Sequence, residues 1–397
     1  MRWYLAGNVC SNVGTWLQNT AQILLAFELT RSSSGVALVV AGQFVSPLLL
    51  GPYAGVLADR FDRRRLLLVT HFGSALVSAA MAALQAAGSL SLPVLAGGAV
   101  LIGVGYTFTL PALAAFVPTL TGPADTQAAM TLHGVSSNAG RALAPVLGGG
   151  LVVVAGYGWA FALNALSFVA FAAVLLRLRP RRSGQVQRAR LLDGFRAVRA
   201  DRRIAVLLVM VAVATVATDP PLTLGPSMAS EALGTADTVP AYFLSAFGLG
   251  TLTASLLPER RMTLRSTAGR LGLLGIAVIA FAVAPSTPVA VAAAALAGAG
   301  FLLVGAATQT LLLGRAAPGA AGRVMAVWTI AFAGSRPIAT AADAWLAGIA
   351  GPRISSAMLA LPAVLTATVV VGLRASVRGR VWALRVLRGP LPAAAGK

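Results

Sequence analysis

Five charged residues stand where charge is costly: Glu28, Arg141, Asp219, Arg336 and Asp343 fall inside, or at the edge of, long apolar runs. A charged group in such a setting faces a partner, a cavity or a translocation path, because desolvating it alone is too expensive. Asp219 precedes Pro220 and Pro221, which lack a backbone N–H, so a helix breaks there and leaves carbonyls free beside the acid. A desolvated carboxylate at such a break is suited to take up and release a proton, and Asp343 is a second candidate for the same chemistry. Asp343 follows Arg336 by seven residues, two turns along one helical face, so the two are expected to interact directly or through water. A purely structural ion pair is the alternative reading. Glu28 has Arg31 close by and reads first as a structural or gating acid, with proton coupling as its second reading. Arg141 requires a counter-charge, from an anionic substrate or from a carboxylate elsewhere in the fold.

A second polar set is periodic. Asn8, Asn12, Thr15, Asn19 and Gln22 recur at steps of four and three, which places them on one face of a helix. That face is expected to line a cavity, and polar contacts between helices are the alternative. Asn12, Thr15, Asn19, Gln22, Arg141 and Arg336 are therefore the candidate substrate contacts. His71 and His133 titrate in the right range for proton chemistry but, standing alone, read as packed or hydrogen-bonding residues. Trp16, Trp159, Trp328 and Phe108 could stack on a planar molecule or anchor helix ends at a membrane interface. The chain has no phosphate-binding Gly-x4-Gly-Lys-Ser/Thr loop, no metal-ligand spacing and no Gly-x-Ser-x-Gly elbow. No enzyme activity, no cofactor and no metal are expected. The single Cys10 excludes an internal disulfide.

The elements that carry these residues follow from composition. Hydrophobic residues make up 57% of the 397 and charged residues 11%, less than half the share of a soluble domain. A membrane span takes roughly 20 apolar residues. Apolar runs interrupted by charge, Gly/Pro or polar clusters predict twelve spans, at 3–28, 35–58, 66–88, 92–116, 129–154, 158–177, 204–230, 239–258, 268–286, 288–313, 323–349 and 354–374. The first run is interrupted early by polar residues and no small-residue cleavage site follows it, so it reads as a retained span rather than a signal peptide.

Of the 31 basic residues, 27 fall on one set of alternate connections. That asymmetry predicts a multi-pass protein of the inner (plasma) membrane with both termini cytoplasmic, and it accounts for the net charge of +20 without nucleic acid. The predicted organisation is a six-helix bundle over 1–176, a cytoplasmic linker over 177–203, a second six-helix bundle over 204–374 and a basic tail over 375–397. Within the linker, 191–199 alternates apolar and basic residues as a surface helix on anionic lipid would. The halves echo each other: a shift of 195 residues superposes Arg141 on Arg336 and Ala155-Gly156 on Ala350-Gly351, an internal repeat of the kind from which many secondary transporters are built.

The turn Gly55-Val-Leu-Ala-Asp59-Arg60-Phe61-Asp62-Arg63-Arg64 resembles the signature between the second and third spans of the major facilitator superfamily, with Asp62 in place of a glycine. The run Gly140-Arg141-Ala-Leu-Ala-Pro145-Val-Leu-Gly148-Gly149 resembles the span-five motif of its exporters, with Ala144 in place of a glycine. The opening, Ser11 through Trp16 and on to Glu28-Leu29-Thr30, is similar to the enterobactin-exporter-like branch, and the resemblance covers essentially the whole chain. It implies twelve helices in two pseudo-symmetric bundles, alternating access and export of a drug, siderophore or natural product in exchange for protons. It further implies that Gly55, Asp59, Arg60, Arg63 and Arg64 form a conformational latch against span eleven. Gly140, Pro145, Gly148 and Gly149 would then form a close-packing, kinked contact between the halves. The expected partners are a small-molecule substrate, protons and the bilayer, with the chain a monomer. Import or facilitated diffusion by the same fold, or a non-transporting receptor or scaffold, are the alternatives.

Overall fold

The computed structural model describes residues 1–121, 125, 129, 132–134, 136, 147–148, 150–178, 201–235, 239–257, 262–315 and 321–387; at 52, 55–56, 58–60, 241, 321–323, 325–326 and 373–387 it describes the backbone alone. The described chain is helical almost throughout. Its long helices are α1 (Arg2–Thr30), α2 (Ser33–Arg60), α3 (Arg63–Ala86), α4 (Leu92–Phe116), α5 (Tyr157–Arg177), α6 (Arg202–Ala217), α7 (Val239–Ser255), α8 (Leu264–Ala282), α9 (Thr287–Leu313) and α10 (Ala321–Leu387). Helix α10 is two rods joined at Gly351. Between α6 and α7 the chain passes through short turns, Asp219–Thr223 and Gly225–Ser227, and a π-helical turn, Met228–Ala232.

The described residues thus supply eleven rods. Helical pieces at 147–148 and 150–155 fall where the remaining span is expected, and most of that span lies outside the described residues. Eight of the described segments are long and apolar enough to cross a membrane. Helix α1 is not among them because its polar face lowers its hydropathy. Surface leucines and valines such as Leu76 (73% exposed) and Val154 (88%) have the exposure that lipid rather than water would stabilise. Hydroxyls inside the rods bond back to their own helix, as Thr15 does to the Ser11 carbonyl at 2.9 Å, which keeps polar side chains satisfied in an apolar setting.

Several ends differ from expectation. The expected span 268–286 runs instead over Leu264–Ala282, because Thr263 and Ser266 close a capping box that starts the helix earlier. Span 239–258 ends at Ser255. The helix expected to stop at 374 continues through Leu387, so the first part of the basic tail is helical. Residues 191–199, read as a surface helix, lie outside the described residues.

The repeat has a physical basis. Gly156, which starts α5, and Gly351, which bends α10, adopt nearly the same left-handed backbone, φ 83°, ψ 173° and φ 84°, ψ 164°. That conformation, positive φ with extended ψ, is essentially confined to glycine and costs other L-residues about 1–3 kcal/mol. The same shift relates Gly103 to Gly298, where a methyl would strike the carbonyl of Gln43 on α2 and of Phe247 on α7 respectively. Accordingly α4 packs on α2 and α9 packs on α7, the most extensive crossings in each half among the described residues, and α3–α4 is matched by α8–α9. Helices α4 and α9 also begin alike, after Ser91 and Ser286, with Pro93 and Pro288 in the first turn.

Among the described residues the halves meet chiefly through α2 and the first rod of α10. Phe44 receives Arg336, and Leu48 abuts Gly334, where an added methyl would lie 3.1 Å from its Cδ1. Toward the α1–α2 turn, Leu24 clusters with Leu244, Val152, Tyr157 and Leu222, and the Ser33 and Ser227 hydroxyls bond each other. The Ser33–Ser227 and Leu24 contacts belong to the end of the bundle that holds the α1–α2 turn, opposite the Asp62 turn, whereas Phe44 and Leu48 lie near the middle of α2.

Candidate proton-coupling and substrate site

Helix α6 stops at Ala217, where Thr218 closes onto the Ala214 carbonyl, and the chain restarts at Asp219 with two prolines in its first turn. The break expected from sequence therefore aims Asp219 sideways into the second half, where it is completely buried. Asp343, on the first rod of α10, is also completely buried. Thr223, one turn after Asp219, stands between the acids: its Oγ1 lies 3.0 Å from Asp219 Oδ2 and 3.1 Å from Asp343 Oδ2. The same hydroxyl is 2.9 Å from the Asp219 carbonyl. Thr340 donates to Asp219 Oδ1 at 2.9 Å, and Ser355, beyond the Gly351 corner, donates to Asp343 Oδ1 at 2.5 Å.

Arg336 supplies the positive charge that acts on Asp219, while the charge acting on Asp343 is that of Asp219. Arg336 thus acts electrostatically on Asp219, and Ser355 and Thr223 face Asp343. The guanidinium of Arg336 sits 5.0 Å from the centroid of Phe44 on α2, so this cluster reaches the junction of the halves. Behind it Trp328 stacks on Phe332 at 4.9 Å and 8°, and Trp328 Nε1 donates to Thr308 Oγ1 at 3.2 Å.

On α1 the polar face divides. Asn12 Nδ2 donates to the Asn8 carbonyl at 2.8 Å and Thr15 to Ser11, both within the helix. Asn19 accepts from Gln43 Nε2 of α2 at 2.8 Å. Gln22 is 1% exposed, and neither of its amide atoms has a hydrogen-bond partner among the described residues. Glu28 accepts from the Tyr157 hydroxyl at 2.5 Å, fastening the end of α1 to the start of α5. His71 binds the Leu67 carbonyl at 2.7 Å and packs on Phe168 and Phe171; His133 faces the Tyr4 hydroxyl at 2.8 Å. Both histidines are packed hydrogen-bonding residues.

At the opposite rim, Asp62 caps α3 by accepting from Arg65 N at 2.8 Å, which explains how an aspartate serves where the signature has glycine. Arg63 donates to the Ala115 carbonyl at 3.2 Å and Arg64 Nε to the Leu175 carbonyl at 2.8 Å. Both arginines therefore cover exposed helix-end carbonyls of α4 and α5 in their own half. The side chains at Gly55, Asp59 and Arg60 lie outside the described residues, as do Gly140, Arg141, Pro145 and Gly149. Gly148 packs on α1, where a methyl would lie 3.2 Å from Thr20 Cβ. Among the described residues no cluster of His, Cys or acids is arranged to hold a metal.

Sequence reasoning found Asp219, Asp343 and Arg336 but missed Thr223, Thr340 and Ser355. Arg336, Thr340 and Asp343 recur at steps of four and three, the same signature that marked the polar face of α1, and would have pointed to Thr340.

This helical architecture is the major facilitator fold. The peptide transporter PepTSo of the POT family superposes with a TM-score of 0.70 at 15% identity, over 94% of this chain and 97% of that one. A bacterial homologue of the lysosomal transporter Spinster, solved inward-facing and unoccupied, superposes at 0.65 and 14% identity over 94% and 95%. The model of the transmembrane secretion effector family matches residues 1–383, and the chain belongs to that family, one of transporters rather than enzymes. Among its relatives are the MFS-type transporter YfiS of Bacillus subtilis (29% identical over 178 residues, 44% of this chain and 41% of the relative) and the putative multidrug resistance protein MdtD of Cronobacter sakazakii (30% over 187, 47% and 39%). The staphyloferrin A transporter of Staphylococcus aureus is 28% identical over 180 residues, 45% of this chain and 44% of the relative. Each of these matches spans less than half of the relative's length.

Proposed function

We propose that the chain is a monomeric inner-membrane exporter of a small organic molecule, working by alternating access and driven by proton entry. The observation that carries this reading is the buried Asp219–Asp343 pair, with Arg336 joining it to the junction of the halves. Ionisable groups in such a place are retained for a pathway or a relay rather than for stability. The names of its relatives, a putative multidrug resistance protein and a staphyloferrin A transporter, support a drug, siderophore or natural product as the cargo. In the proposed cycle, bundles 1–176 and 204–374 rock about the site. The acid pair takes a proton from outside and releases it inside. Gln22, Asn19 and Arg336 contact the cargo.

The positive-inside distribution supports cytoplasmic termini, which puts the α1–α2 turn outside. The contacts Ser33–Ser227 and Leu24–Leu244 then close the outer face, as expected of an inward-facing state. Asp59 with its neighbouring arginines remains the proposed latch for the opposite state.

Proteoliposomes with an imposed proton gradient test this, using ethidium and a carboxylate siderophore as probes. Wild-type chain should accumulate one of them and stop when the gradient is collapsed; flux that persists would favour facilitated diffusion. Asp219→Asn and Asp343→Asn should each reduce gradient-driven accumulation by about 10²-fold, the scale of a lost proton-transfer group. Normal transport by both variants would remove the acids from the coupling step.

A further inference from the structure

We propose that Thr223 is a proton relay: Asp219, Thr223 and Asp343 form a hydroxyl-bridged carboxyl pair that holds a single proton, passed from one acid to the other through the threonine. The idea rests on the proton coupling argued above and assigns the atoms that perform it.

A threonine hydroxyl has one hydrogen and two lone pairs, and an ionised carboxylate can only accept. Thr223 Oγ1 is nevertheless within 3.1 Å of an oxygen from each acid. With both acids ionised, one of these approaches would set oxygen against oxygen with no hydrogen between them. The site is fully buried, so bulk water does not soften that repulsion. One added proton supplies the hydrogen that the Asp343 contact lacks, while the single Thr223 hydrogen is shared between the Asp219 carbonyl at 2.9 Å and Asp219 Oδ2 at 3.0 Å. Asp343 Oδ2–H donates to Thr223 Oγ1, and the Thr223 hydroxyl donates to Asp219 Oδ2.

The surroundings fix this order. Asp219 has the Arg336 charge and the Thr340 donor to support an ionised form, whereas Asp343 has the Ser355 donor and the opposing charge of Asp219. The other charged residues on the helices packed against the pair stand toward helix ends: Asp59 and Arg60 on α2, Arg202 and Arg203 on α6, Arg265 and Arg270 on α8. Helix α9 carries none. On α10, Arg323 begins the first rod, Arg374, Arg378, Arg380 and Arg385 lie in the last part of the second, and Arg353 is held by the carbonyls of Ala282 and Ala232 at 3.2 and 3.1 Å.

Transfer is balanced. The Asp343 O–H bond breaks as a new Thr223 O–H forms, while the original Thr223 O–H breaks as an Asp219 O–H forms. Threonine is regenerated, Asp343 is left ionised and Asp219 becomes neutral. The carboxylate charge beside Arg336 disappears, so the arginine's charge is offered to an anionic group of the cargo at the junction of the halves. Proton position and cargo binding are thereby linked through one side chain.

Infrared spectroscopy of the full chain in liposomes, without cargo or gradient, reads the carboxyl C=O band directly. The wild type at neutral pH should show one buried protonated carboxyl, lost in Asp343→Asn. Thr223→Ser should keep the wild-type band, whereas Thr223→Val should shift it, because the Asp343 proton loses its acceptor. Monodispersity and thermal midpoint verify that each variant is folded, and Thr223→Ser against wild type decides the matter should the valine variant unfold. The proposal is overturned by absence of the band in wild type, by an unchanged spectrum in Thr223→Val, or by a serine variant lacking the wild-type band. A bridged proton in a chain whose flux ignores the gradient would overturn the proposed function and leave the bridge intact.

Discussion

Gln22 is the residue at which polarity has no local reason. Its neighbour on the same face, Asn19, is paired with Gln43, yet the Gln22 amide is buried with neither end satisfied among the described residues. An orphaned buried amide costs about 1–3 kcal/mol. Gln22→Leu, of similar size and apolar, should therefore raise the thermal midpoint while lowering transport of the cargo that the amide would otherwise contact. A lower midpoint would show that the amide is satisfied in the protein. The site was legible in sequence wherever a charge interrupted an apolar run, which singled out Asp219, Arg336 and Asp343. Thr223, Thr340 and Ser355 were not legible in that way, because a threonine or serine in a membrane helix usually bonds its own backbone. Only the distance across the fold shows when it also bonds an acid.

The elements were largely readable because glycine and proline punctuate them. The break before Asp219 and the corners at Gly156 and Gly351 stand where the sequence placed them. The Thr263–Ser266 box and the continuation of α10 past 374 escaped notice, since capping depends on a few hydroxyls and charge on a helix does not end it. The repeat makes a paired prediction. Gly156→Ala and Gly351→Ala should each destabilise by about 1–3 kcal/mol, from backbone strain alone, since among the described residues nothing lies within 4 Å of an added methyl at either site. Gly103→Ala and Gly298→Ala should cost more, because the obstructing atom is a backbone carbonyl that cannot rotate aside. Thermal denaturation of the four variants checks both the order and the equality within each pair.

For the whole molecule, the Ser33–Ser227 contact ties two regions 194 residues apart at the rim holding the α1–α2 turn. In a chain with Cys10→Ser, Ser33→Cys with Ser227→Cys should form a disulfide on mild oxidation, since the two hydroxyls already touch. Transport should then stop and recover on reduction. Undiminished flux through the cross-linked chain would mean that this rim does not open during the cycle.

The single hydrogen on Thr223 also has an electrical consequence. On the proposed relay each passage delivers one proton, so export of a neutral cargo carries one positive charge inward per cycle. A membrane potential of 100 mV would add about 2.3 kcal/mol to that cycle, enough for roughly a fifty-fold gradient of cargo before any pH difference is counted. A monoanionic cargo leaving against the same proton would move two charges and square that factor. The current recorded per molecule exported therefore reports the valence of the cargo before the cargo itself is identified.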